Sequence, residues 1–189
     1  AHCIEILLSH LFFHGLAEYL LQPDSQFIGF IENAFTDTRK FFRGRIFQFF
    51  WPVTHYVITQ TAVFLGLILF WVLNRTRVRG RQHVPNRPNT LLLSNHQSMI
   101  DSFLVGICAY FPQAYWHPSL IPWNPAAEEN FFNTPVLAWL SNNFKSFPIK
   151  RGRKDMGAIF RMAEALKFSP LLLFPEGTRT RSGRIGRGR

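Results

Sequence analysis

Apolar residues recur at Ile4, Leu7, Leu8, Leu11, Phe12, Leu16, Tyr19 and Leu20, while Glu5, Ser9, His14 and Glu18 fall elsewhere on the wheel. That spacing predicts an amphipathic helix. A second hydrophobic pattern covers 53–73, which is 21 residues without a formal charge. Its uninterrupted apolar part is 62–73, and His55, Thr59, Gln60 and Thr61 dilute the remainder. A run of about 20 residues can span a bilayer, whereas one of about 10–14 more often lies in the interface, re-enters or is buried. Gly80, Pro85 and Pro88 then interrupt regular structure. Beyond them, 91–93 and 171–174 are short apolar runs bounded by polar or turn residues, the pattern of strands buried on both faces. A weaker strand candidate is 145–149, and 155–167 carries Met156, Ile159, Phe160, Ala163 and Leu166 at helical spacing. Strand, helix, strand in that order predicts a βαβ unit. The expected fold is α/β, a mostly parallel sheet flanked by helices, with a hydrophobic helical membrane-anchor region at 1–84 and the sheet domain at 85–189.

Composition narrows the classes. Hydrophobic residues make up 47% and charged residues 17%, which excludes a disordered basic tail. Cys3 and Cys108 are too few for a disulfide framework or a cysteine zinc site, and read as buried thiols in a reducing compartment. The formal net charge is +10, sorted into blocks: 1–37 holds five acids and no Lys or Arg, and 39–87 holds nine bases and no acid. Arg39, Lys40, Arg43 and Arg45 interleave with Phe41, Phe42, Phe47, Phe49, Phe50 and Trp51. Rings of this kind settle at the headgroup level while arginine heads reach phosphates. Aromatic and basic residues also build platforms for single-stranded nucleic acid. The apolar segment that follows at once favours a membrane instead, and no nucleic-acid partner is expected. Arg75, Arg77, Arg79 and Arg81 follow that segment as four bases precede it, so a hairpin dipping into one leaflet suits it at least as well as a span.

Two polar clusters fall at strand ends, where reactive residues gather in parallel sheets. The first is Asn95-His96-Gln97-Ser98-Met99-Ile100-Asp101. Ser98 followed by Asp101 is a capping-box pattern that would start a helix at Ser98. His96 then stands just upstream, and Asp101 leans back from the first turn so that the two can meet. The carboxylate would fix the imidazole tautomer and stabilise its charged form; the alternative makes Asp101 only a cap and His96 a loop residue. No third ligand stands nearby, so no metal site is expected. The second cluster is Phe174-Pro175-Glu176-Gly177-Thr178-Arg179, in which proline ends a strand, glycine admits close approach, and Thr and Arg offer donors to an oxyanion or phosphate.

Taken together, Asn95-His96 with Asp101, then Phe147-Pro148-Ile149-Lys150-Arg151, then Phe174-Pro175-Glu176-Gly177-Thr178-Arg179 closely resemble the three ordered motifs of the glycerolipid acyltransferases, of which lysophosphatidic acid acyltransferase is the type member. The resemblance covers roughly 85–189. It implies transfer of a fatty acyl group from a thioester, acyl-CoA or acyl carrier protein, to the free hydroxyl of a lysophospholipid such as 1-acylglycerol-3-phosphate, with no acyl-enzyme and no resident cofactor. It implies His96 as general base, Asp101 as its partner, Arg151 and Arg179 as phosphate ligands, and Glu176, Gly177 and Thr178 around the glycerol end. Membrane phospholipid becomes a partner, and the enzyme is expected at a membrane with its active site on the cytoplasmic face. Trp123-Asn124-Pro125-Ala126-Ala127-Glu128-Glu129-Asn130-Phe131-Phe132 is similar to a stretch of tafazzin-like members, which exchange acyl chains between phospholipids; otherwise it reads as a polar loop leading into a helix with Val136, Leu137 and Leu140. A non-catalytic protein binding anionic lipid is the rival outside enzymes. Family members usually continue past the third motif to a fourth, so a fragment is expected.

Overall fold

The computed structural model describes residues 45–150 and 155–180. The helix expected over 4–20 and the bases at 39–43 lie outside the described residues.

Helix α1 spans Arg45–Leu67 and continues as a π-helical stretch, Ile68–Leu73. By length and composition its part Phe49–Leu73 is long enough to cross a bilayer. Its polar residues do not merely dilute it. Trp51, His55, Thr59, Gln60 and Val63 are buried against the rest of the chain, while Phe50, Val57, Phe64, Leu65, Ile68 and Val72 are exposed. Spacings of three and four put each set on its own face of the helix. The buried face is hydrogen-bonded: Trp51 Nε1 donates to Asn142 Oδ1 (2.6 Å), Thr59 Oγ1 to Asn143 O (3.1 Å) and Gln60 Nε2 to Tyr115 O (2.8 Å), and His55 Nδ1 lies 2.7 Å from Asn143 O. The amphipathicity is therefore inverted, with polar groups inward and apolar groups outward.

Strand β1 is Leu91–Leu93, followed by helix α2 (Asp101–Tyr110) and the short α3 (Gln113–Trp116). Strand β2 (Asn124–Ala127) runs into the short α4 (Glu128–Phe131), then α5 (Pro135–Asn143), β3 (Ser146–Ile149), α6 (Met156–Phe168) and β4 (Leu171–Leu173). The expected strands and the helix after 155 are present, with Asp155 as N-cap accepting from Ala158 N at 2.9 Å. Strand β2 falls in the stretch read as a loop. Its sequence, Asn-Pro-Ala-Ala, has no apolar alternation, and pairing with β3 makes it a strand (Asn124 opposite Ser146, Ala127 opposite Ile149).

Strand β1 pairs in parallel with β4, Leu91 opposite Leu171 and Leu93 opposite Leu173. Strands β2 and β3 form a second parallel pair, and an isolated parallel bridge between Trp123 and Leu171 links the two pairs. Leu171 and Leu172 in β4 are buried as expected, but Leu91 and Leu93 are exposed, because β1 is an edge among the described residues. The core beside β4 and β3 gathers Trp51, Trp123, Phe132, Ala138, Phe147, Ala165 and Leu171. A second cluster of Val63, Phe70 and Ile107 holds α1 to α2. Helix α1 thus contributes to both cores.

Between α5 and β3, Lys145 adopts a left-handed φ of 52° and is buried. Its ammonium donates to the carbonyls of Pro118 (2.9 Å), Ser119 (3.2 Å) and Ile121 (2.9 Å) and to Ser169 Oγ (3.3 Å). Burial pushes its pKa down to about 7. Cys108 is a buried thiol whose pKa burial raises to about 11; Cys3 lies outside the described residues.

Candidate active site

The parallel pairing of β1 with β4 puts the loops after both strands at one edge of the sheet. His96 follows β1 by three residues and Phe174 follows β4 directly. The His96 ring stacks on Phe174 with centroids 4.2 Å apart and planes 22° from parallel. Thr180 N donates to His96 O at 2.8 Å, tying the third motif to the first through the backbone as well.

His96 Nδ1 lies 3.1 Å from Asp101 Oδ2. The same oxygen accepts from Gln97 N (2.6 Å) and Ser98 N (2.8 Å), and Oδ1 accepts from Ser98 Oγ (2.9 Å). Burial acts to raise the Asp101 pKa, but the bonds from Ser98 N, Gln97 N, Ser98 Oγ and His96 outweigh it and hold the carboxyl below its ordinary value. An ionised carboxylate only accepts, so the Nδ1 atom facing it carries the proton, leaving the Nε2 lone pair free. His96 lines the cavity described below.

The helix does not begin at Ser98. It begins at Asp101, but the capping-box contacts around Ser98 form: the Asp101 side chain reaches back to the amides of Ser98 and Gln97, and Ser98 Oγ accepts from Ile100 N (3.2 Å). Capping and pairing with His96 are therefore both done by one carboxylate.

In the third motif Gly177 N donates to Phe174 O at 3.0 Å, and Gly177 takes a left-handed φ of 64°, which a side chain would disfavour. Gly177, Thr178 and Arg179 line a cavity of about 1310 Å³ together with His96. Glu176 does not line it. Its side chain is 4% exposed, and neither oxygen has a hydrogen-bond partner among the described residues. Arg151 lies outside the described residues. Lys150, beside it, is exposed and lines the cavity. Arg161 is engaged elsewhere, donating to Pro148 O (3.1 Å) and pairing with Asp155 (3.4 Å).

Two further polar residues reach the same cavity. Asn124, on β2, donates from Nδ2 to Ser102 Oγ (2.9 Å), next to Asp101 on α2. Motif reading passed over this pair because its partners stand 22 residues apart on elements that only the sheet brings together. Among the described residues no group of three His, Cys, Asp or Glu side chains could hold a metal ion.

The site combines an oriented imidazole, a fixed carboxylate, an arginine and a left-handed glycine turn around one cavity. That set suits proton removal from a hydroxyl beside an anionic group. The family model described as acyltransferase matches residues 75–189, more than half of the chain. A chloroplastic 1-acyl-sn-glycerol-3-phosphate acyltransferase of Brassica napus is 26% identical over 136 residues, 70% of this chain and 36% of that protein. One from Arabidopsis thaliana is 25% identical over 137 residues, 70% of this chain and 34% of that protein. The chain thus spans about a third of the length of these curated relatives. No solved structure matches it. With its first and third motifs brought together after the paired strands β1 and β4, the chain belongs to the acyltransferase family.

Proposed function

We propose that this protein transfers a fatty acyl group from a thioester, acyl-CoA or acyl carrier protein, to the free hydroxyl of a lysophospholipid, with 1-acylglycerol-3-phosphate as the best-fitting acceptor. The observation that carries the reading is the 3.1 Å contact of His96 Nδ1 with Asp101, which leaves Nε2 as a base on the cavity that Arg179 also lines.

His96 Nε2 takes the hydroxyl proton as the acceptor oxygen attacks the thioester carbonyl. The tetrahedral intermediate collapses with loss of the thiolate, which recovers the proton from the imidazolium. Asp101 balances the imidazolium charge while it lasts. General-base help of this kind is worth ~10²–10⁴-fold. Arg179, and with it Arg151, grips the acceptor phosphate through a guanidinium fork. Gly177 and Thr178 border the glycerol end. The thioester is a co-substrate, and the scheme uses no resident cofactor.

The outward apolar face of α1 is read as lying in lipid, with Arg75, Arg77, Arg79 and Arg81 at the headgroups just beyond its end. The inward polar face has its partners in the protein, so the helix is better suited to a place along one leaflet than to a lone span. The active site is assigned to the cytoplasmic face.

The test is an assay of the full-length protein in membranes with labelled lysophosphatidic acid, offering acyl-CoA, acyl carrier protein thioester or phosphatidylcholine in turn. Labelled phosphatidic acid from a thioester is expected. Product from phosphatidylcholine alone would replace the reading with a transacylase, and no product from any donor would leave only lipid binding.

A further inference from the structure

Asn124 and Ser102 close a ring of contacts that starts and ends at His96. The His96 ring stacks on Phe174, which follows β4 directly. Trp123 N donates to Pro170 O (2.9 Å) and Leu172 N donates to Trp123 O (2.8 Å), so the β4 segment fixes Trp123. The next residue, Asn124, begins β2, and its backbone N donates to Lys145 O (2.8 Å) on the other side. From this doubly held backbone the Asn124 side chain reaches out, and Nδ2 donates to Ser102 Oγ (2.9 Å). Ser102 follows Asp101 in the first turn of α2, and Asp101 Oδ2 returns to His96 Nδ1 (3.1 Å). The ring runs from imidazole to sheet to helix and back.

Two features separate the bond between Asn124 and Ser102 from ordinary packing. The first is what it joins. Asp101 bonds to His96, Gln97 and Ser98, all in the loop before α2, and Ile100 at the N-cap makes no side-chain cap bond. Those bonds tie the loop to the helix; the bond from Asn124 ties the helix to the sheet. The second feature is what it leaves unmet. Asn124 Oδ1 is buried and has no hydrogen-bond partner among the described residues. A buried acceptor without a donor costs stability. Serine is also a weaker helix former than alanine at the Ser102 position. Stability alone would therefore favour an apolar residue at 124 and alanine at 102.

We propose that Asn124 is a positioning residue for His96: through Ser102 it sets where α2 begins, and so where Asp101 meets the imidazole. The role rests on the acyl-transfer reading for the reaction it serves, but its effect on His96 is a separate claim. Misplacing a reacting group by about 1 Å can cost ~10²-fold in rate, so a small shift of the first turn is enough to matter.

The test compares Ser102→Ala, Asn124→Leu and the double variant with wild type, in the full-length protein in membranes. Three quantities are read: kcat and KM with lysophosphatidic acid and the donor wild type uses best, the thermal midpoint, and the rate at which diethyl pyrocarbonate modifies His96, followed on its peptide by mass spectrometry. The kcat should fall about tenfold in each variant, with KM changed by less than about twofold. The double variant should lose no more than either single one, because all three break one bond. Its thermal midpoint should stay near wild type, since removing both partners of a buried bond is close to neutral. Modification of His96 should slow by about threefold, because the bond at one ring nitrogen governs the other. Ser102→Thr keeps the hydroxyl and should restore most of the rate. Asn124→Leu can disturb its strand; Ser102→Ala suits a helix and carries the test alone. A loss of kcat that tracks the thermal midpoint from variant to variant makes the pair a structural brace and overturns the proposal. So does a wild-type kcat in Ser102→Ala, or His96 modified at the wild-type rate. Slower modification in the variants of a protein that transfers acyl groups from no donor keeps the positioning role and sinks the acyl-transfer reading. Acyl transfer by wild type with unchanged modification in the variants does the reverse.

Discussion

The His96 imidazole lies flat against the Phe174 ring, 4.2 Å between centroids, across 78 residues of sequence. The contact joins the residue proposed to take the proton to the first residue of the turn that carries Arg179. It exists because β1 and β4 are hydrogen-bonded in register, so the chain leaves both strands at the same edge. With Asp101 on one ring nitrogen and Phe174 on one ring face, the imidazole is held in tautomer and in orientation.

Replacing His96 with Ala should lower acyl transfer by ~10²–10⁴-fold, the scale of general-base catalysis. Sedimentation with membranes should be unchanged, since α1 makes none of its described hydrogen bonds to His96. Turnover within threefold of wild type would remove His96 from the role.

Asp101→Asn should cost nearly as much. An amide carries no charge to balance the imidazolium and has one accepting oxygen where the carboxylate uses two. The pH dependence has a definite sign. A carboxyl whose pKa is lowered on folding stabilises the fold above its unfolded pKa of about 3.9, and that contribution is lost as pH falls through the folded value. Urea midpoints followed from pH 6 downward should therefore fall more steeply in acid for wild type than for Asp101→Asn. Parallel curves would mean that Asp101 is not held ionised by these bonds.

Arg179→Lys replaces a fork with a point charge and should raise KM for phosphate-bearing acceptors more than it lowers kcat. Steady-state kinetics with lysophosphatidic acid give the answer. Arg161 is a poor substitute, being bound to Pro148 O and Asp155. An unchanged KM moves the phosphate to Lys150 or Arg151.

Lys145→Met should destabilise the protein by roughly 1–3 kcal/mol, because the carbonyls of Pro118, Ser119 and Ile121 lose the ammonium and keep only Ile121 N and the shared Ser169 Oγ as donors. Chemical denaturation measures it. A loss under about 1 kcal/mol would show that water replaces the ammonium.

The double substitution Phe64→Asp with Leu65→Asp adds charge to the exposed face of α1. Binding to vesicles containing anionic lipid should drop, while the thermal midpoint stays near wild type. Raised salt should release wild type only in part, since screening weakens charge attraction and not apolar insertion. Full binding by the double variant would place the membrane contact elsewhere.

The order of strands and helices was legible in the sequence because each depends on a local pattern: three-residue leucine runs for β1 and β4, helical spacing after Asp155 for α6. The motifs were legible because their residue types and order are specific. Strand β2 was not, since Asn124–Ala127 has no strand pattern of its own and is a strand only through its partner β3. Nor was the place of α1. One-dimensional hydropathy counts His55, Thr59 and Gln60 against membrane insertion, but these residues face the protein, where backbone carbonyls accept from Thr59 and Gln60 and one lies 2.7 Å from His55 Nδ1. Sequence by itself determined which side chains are the candidates for the chemistry, through their type and spacing. Tertiary structure alone decided that Phe174 backs His96, that Asn124 meets Ser102 and that α1 walls the cavity, because contacts between residues far apart along the chain arise only when parallel strands and docked helices bring them together.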